Sequence, residues 1–210
     1  MNEQEWLECT YPTAMLGYLG GTASNRKVRL FTVACCRSAW DRLVDDRSRR
    51  AVDVAEMFAD GIVSETKAAA AADDAWNFRD ELFDSGANQD PKMEETLQLA
   101  NAAALTACQN DLFSGGIVLA RIEPTTQCSL FRDIFGNPFR PITIDPRWLT
   151  SNVVDLATAI YDERAYEKMP ILADALMDAG CDDEEIIAHC RGSGPHVRGC
   201  WLVDLLLGKQ

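Results

Sequence analysis

The stretch SNRKVRLFTVACCRSAWDRLV, residues 24–44, sets the class of fold. Val28, Phe31 and Cys35, with Leu30, Val33 and Ala34, recur at helical spacing, while Arg37 and Arg42 fall on the other side. Ser24 stands just before this run, where its side chain can accept a backbone N–H as a cap. The same grammar extends outward along the chain. Upstream, a short helix around Pro12 stops at Gly20-Gly21. Downstream, Asp45 or Asp46 caps a helix carrying Val52, Ala55, Phe58 and Ala59, and Gly61 fits its end. Ser64 opens SETKAAAAADDAWNFRDELF, whose alanines favour helix and whose Trp76, Leu82 and Phe83 offer a packing face. Asp90-Pro91 starts a further helix over 91–113, before Gly115-Gly116.

Near residue 122 the texture changes, because Pro124, Pro138, Pro141 and Pro146 punctuate the sequence. Residues 126–135 fit one helix ending at Gly136, and NPFRPITIDP is extended, since each proline pushes the residue before it out of the helical region. Phe139 and Ile142 are its anchors if it lies as a strap rather than as a free linker. Shorter helices are expected at 151–164, 170–179, 182–191 and 195–207. The expectation is therefore a compact all-α fold of about eight to ten helices with no fixed repeat. It forms a single helical domain over 1–210: a long-helix part at 1–121, a proline-punctuated strap at 122–150 and a short-helix part at 151–210.

Composition narrows the function classes. An apolar fraction of 47% with 25% charged residues is that of a folded globular chain. No segment approaches the roughly 18 apolar residues of a membrane span. MNEQEWLECT lacks a basic patch followed by an apolar run, so no secretory signal is expected and the chain reads as cytoplasmic. In a reducing compartment the eight cysteines read first as small buried hydrophobes, and the absence of CxxC removes the commonest redox and zinc-ribbon signatures. A net charge of −13 argues against nucleic acid as a partner. The charge is uneven: residues 24–50 carry eight Arg or Lys against three Asp, and residues 53–95 carry twelve acids against three bases. Pairing of the basic segment within the protein is the favoured use of this asymmetry, and orientation of a partner is the other.

One corner concentrates the chemistry. HCRGSGPHVRGCW, residues 189–201, holds both histidines and two cysteines. On the expected helix 195–207, His196 and Cys200 are four apart and share a face, so both can reach one zinc ion. The Gly192-Ser193-Gly194 turn brings back His189 or Cys190 as a third ligand, with Cys35 or Cys36 first in line as a fourth. Cys181 lies eight residues before His189, roughly 12 Å along a helix, too far to share its ion. The competing reading is a packed turn in which His196 bonds to neighbouring backbone and the cysteines are core. A thiol nucleophile, Cys190 or Cys200 assisted by Arg191 or Arg198, is the catalytic reading. No GxSxG, HExxH, Walker loop or GxGxxG supports another chemistry. A second candidate is an anion site formed by Arg140, Arg147 and Arg198.

RKVRLFTVACCRSAW, IFGNPFRP and HCRGSGPHVRGCWLVDLLLGK resemble a family of uncharacterised bacterial proteins that occur as many paralogues in a few large-genome lineages. The resemblance covers the whole chain and brings no activity, cofactor or catalytic residue with it. It implies a cytosolic domain used in interaction or regulation. The expected function is thus a non-enzymatic protein-binding or regulatory module, with a protein as partner and neither nucleic acid nor membrane. The alternative is a metal- or thiol-dependent enzyme with its site at 189–200. No cofactor is expected unless that corner holds zinc.

Overall fold

Six helices begin where a short polar side chain accepts a backbone N–H that the helix itself leaves unpaired. The computed structural model describes residues 1–20, 22–86 and 122–209, together with residues 94, 96, 98, 100, 102 and 104. Among the described residues there are ten α-helices and no strand, which makes the protein all-α. They are α1 (Glu3–Glu8), α2 (Pro12–Leu19), α3 (Asn25–Ser38), α4 (Asp46–Ala59), α5 (Glu65–Asp84), α6 (Pro124–Phe135), α7 (Ser151–Glu163), α8 (Met169–Asp178), α9 (Glu184–Arg191) and α10 (Trp201–Leu206). The capping side chains are Asn2 on α1, Ser24 on α3, Asp45 on α4, Ser64 on α5, Thr150 on α7 and Asp183 on α9. The helix expected at 91–113 lies outside the described residues except at the six single positions above, which are helical.

Two compact units divide the chain: Met1–Cys9 with Ser129–Gln210, and Thr10–Cys128. In the second, α3 packs on α4 and α4 on α5. The alanine face of α5 makes this close approach feasible, with Ala68 and Ala71 buried against Val54. Arginines of the basic stretch are engaged inside this unit. Arg37 bonds Asp53 at 2.6 Å and Glu56 at 3.1 Å, and Arg26 bonds Asp60 at 3.1 Å. Arg47 reaches Glu81 at 2.7 Å and lies over the Phe78 ring.

In the unit formed by the two ends of the chain, α7, α8, α9 and α10 share one core. Val153, Ala157 and Ile160 of α7, Leu172 and Leu176 of α8, Ile186 and Cys190 of α9, and Leu202 and Leu206 of α10 are all buried in it. Their three- and four-residue spacings put one face of each helix inward. The extended segment after Gly136 lies along this core through Ile142 and Ile144. The N-terminal helix joins the same unit through Trp6, which is fully buried and donates its indole N–H to the Gly136 carbonyl at 3.1 Å. Arg132 of α6 clamps the segment beyond it, donating to the carbonyls of Trp6 at 2.9 Å and Cys9 at 2.7 Å.

The last helix differs from its expectation. It starts at Trp201, and residues 195–200 form a loop and turn. Two features hold this segment. Val197 N–H donates to Asp133 Oδ2 at 2.9 Å, which tethers the loop to α6. Gly199 has φ of +92°, in the left-handed region, and closes the turn from Val197 to Cys200. His196 and Cys200 are therefore not on one helical face, and the four-residue spacing is not what brings them together.

Candidate metal centre

Four side chains converge in the unit built from the chain ends: Asp133, His189, His196 and Cys200. One donor atom from each lies within 4.8 Å of the other three. Asp133 comes from the last turn of α6, His189 from the last turn of α9, His196 from the loop and Cys200 from the residue preceding α10. His189 Nε2 is 3.0 Å from Cys200 Sγ and 3.6 Å from Asp133 Oδ1. His196 Nδ1 is 3.0 Å from the same Asp133 oxygen. The set is shielded from solvent, with Asp133 and Cys200 buried and the His189 and His196 side chains only 16% and 9% exposed.

The protons in this cluster can be assigned from its partners. Asp133 accepts from Val197 N–H, and its other oxygen faces His196 Nδ1, so Nδ1 carries a proton. Nε2 of His196 is buried and has no hydrogen-bond partner. On His189, Trp201 donates its indole N–H to Nδ1 at 3.3 Å, so the ring proton is on Nε2 and points at Cys200. Burial, then the neighbouring His196, pushes the His189 pKa down to about 3. His189 is consequently neutral, and its approach to Asp133 is no ion pair. Burial also raises the Asp133 carboxyl, against the lowering effect of the His196, Val197 and Cys200 bonds.

The donor types suit zinc or a similar transition ion, which takes imidazole, thiolate and carboxylate ligands. Ligands at about 2.0–2.3 Å from a tetrahedral ion stand roughly 3.3–3.8 Å from one another. The 3.6 Å between His189 Nε2 and Asp133 Oδ1 matches this, and the two 3.0 Å contacts must open slightly as the ion takes the place of their protons. One neighbour adjusts. An ion held by His189 Nε2 would require that ring's proton on Nδ1, where the Trp201 N–H already points, so this contact would be lost on loading.

Of the residues the sequence singled out, His189, His196 and Cys200 come together here. Cys190 does not: it is buried in the core beside Leu and Ile side chains, and burial pushes its thiol up to about 12. Cys35 and Cys36 are buried on α3, and Asp133 stands in the position expected of them. The three arginines are engaged separately. Arg140 pairs with Glu3 at 2.6 Å, Arg147 with Asp145 at 2.6 Å, and Arg198 lies 4.3 Å over the Tyr161 ring. Asp133 was missed although a signal existed. It follows Leu130 by three residues and adjoins Ile134, both buried, so the helical period puts a carboxylate on an inward face where it needs a partner.

Compared with protein-family models, with curated proteins and with solved structures, the chain finds no match.

Proposed function

We propose that the unit formed by Met1–Cys9 and Ser129–Gln210 is a metal-binding module, with zinc the preferred ion, and that the chain is a non-enzymatic binding or regulatory protein whose fold the ion fastens. The observation that carries this reading is the gathering of one Asp, two His and one Cys donor within 4.8 Å. Four protein donors complete a tetrahedral shell and leave no position for substrate, as in structural sites. His189 favours loading, because a ring neutral down to about pH 3 presents no proton charge for the metal to displace. The thiol-enzyme alternative is weaker, since Cys190 and Cys200 are both buried. The net charge of −13 supports a protein rather than a nucleic acid as partner, and among the described residues no helix is long and apolar enough to cross a membrane.

The test is metal content and melting of the purified protein after dialysis against zinc and then against a chelator. One zinc per chain is expected, lost in Cys200→Ser and Asp133→Asn. With free zinc about a hundredfold above its Kd the folded state gains about 2.7 kcal/mol. Protein that retains no zinc and melts identically with and without it refutes the module.

A further inference from the structure

The metal cluster and the seat of the N-terminal segment share one stretch of chain. Asp133, a donor of the cluster, stands in the last turn of α6, and the side chain before it, Arg132, clamps the carbonyls of Trp6 and Cys9. Three residues beyond Asp133, the Gly136 carbonyl takes the Trp6 indole N–H at 3.1 Å. Glu3 is held by the same stretch, accepting from Asn137 Nδ2 at 2.8 Å and pairing with Arg140 at 2.6 Å. From the other side, Trp201, the residue after Cys200, lies so close over Gly136 that a Cβ there would stand 3.1 Å from its ring. On its own the segment is weak. The helix α1 has six residues, a length that is marginal in isolation, and Trp6 is its one buried side chain.

Building on the metal-binding reading above, we infer that the ion and the N-terminal segment are coupled: loading locks Met1–Cys9 onto the end of α6, and loss of the ion releases it. An ion on the four donors joins Asp133 to His189 of α9 and to Cys200 ahead of α10, and so fixes the end of α6 against two further elements. Without an ion the same carboxylate is held only by hydrogen bonds, from Val197 N–H and His196 Nδ1. The residues that seat the segment flank Asp133, so the ion narrows their positions, and a clamp of directed hydrogen bonds gains from narrow positions. The coupling is reciprocal: a seated segment raises zinc affinity by the same factor by which zinc favours seating. Elements with few buried contacts open before the core does, and α1 is such an element. Release bares the Trp6 indole and frees the Arg132 fork, so ion loss turns a closed surface into one that presents an aromatic ring and a cation.

The experiment follows hydrogen exchange at the Trp6 indole N–H of the full-length protein, zinc-loaded and after chelation, with the resonance assigned by its loss in Trp6→Phe. That proton meets solvent when the segment leaves the Gly136 carbonyl. In chelated protein it is expected to be less protected than the core amides of α7 and α8, and zinc should raise its protection by at least about fivefold, the low end for coupled sites. Reciprocally, Trp6→Ala should bind zinc at least about fivefold more weakly in competition with a chelator of known affinity. Protection of Trp6 that zinc leaves unchanged, protection that follows the α7 and α8 amides in both states, or a wild-type zinc affinity in folded Trp6→Ala overturns the coupling. The wild-type exchange decides the matter even if the alanine variant folds poorly. A chain that holds no zinc removes the metal module and the coupling together, whereas a chain that holds zinc with Trp6 unmoved keeps the module and removes the coupling alone.

Discussion

Gly136 is the residue on which the two ends of the chain depend, and Gly136→Ala puts a number on that dependence. Its φ is +66°, where an alanine costs about 1–2 kcal/mol. A Cβ built there stands 3.1 Å from Cγ of Trp201 and 3.4 Å from two further ring carbons. An indole held by its neighbours yields only by shifting, and overpacking of this kind costs about 1–3 kcal/mol. Against this, alanine restricts the unfolded chain and returns about 0.4–1 kcal/mol. The net expectation is a loss of about 2–3 kcal/mol. Urea unfolding followed by circular dichroism measures it, and an unchanged denaturant slope identifies the change as one of stability alone. The displaced indole should also lose its bond to His189 Nδ1, now 3.3 Å, so the His189 ring resonances should move in the variant. A loss below about 0.5 kcal/mol, with those resonances unmoved, would refute the packing argument.

Cys190→Ala and Cys200→Ala separate core from site: the first should cost about 1–2 kcal/mol and keep zinc, the second should lose zinc, as read by metal analysis and melting. In metal-free protein the His189 pKa is about 3 folded against 6.5 in the unfolded chain. The unfolded state therefore binds more protons in that window, and stability falls as pH drops below 6.5, by about 2 kcal/mol at pH 5. The raised Asp133 carboxyl works in the opposite sense, so the check is the difference in urea midpoints between pH 7 and pH 5 for wild type and His189→Gln, which should lose the dependence. Zinc should change the tryptophan emission through the lost Trp201–His189 bond, and a Trp201→Phe protein that still shows the full change contradicts that assignment.

The helices were legible because their signals are local. Ser24, Ser64 and Asp183 cap the helices that follow them, and Gly61 and Gly136 end theirs in the left-handed region. The loop at 195–200 was not legible, because what holds it is remote. Asp133, more than sixty residues upstream, anchors the loop through the Val197 N–H, and Pro195 on its own reads as a helix start. The metal cluster was half legible for the same reason. The histidines and Cys200 stood out by rarity and proximity, whereas Asp133 is one of many acids until its burial is known. Of the arginines, Arg147 meets Asp145 two residues away, whereas sequence distance gave no hint that Glu3 is near Arg140.

The N-terminal nine residues belong to the unit completed by the C-terminal part of the chain, and this has a consequence for biosynthesis. Trp6 leaves the ribosome 130 residues before its acceptor, the carbonyl of Gly136. The intervening residues Thr10–Cys128 form their own compact unit and can fold while α1 waits as an unattached amphipathic peptide. A shortened chain beginning at Ser129 would emerge with the Arg132 fork facing neither of its carbonyls and with the Trp6 site vacant. Supplying the peptide Met1–Cys9 in trans should restore it, turning a ring closure within one molecule into a binding reaction whose affinity can be measured.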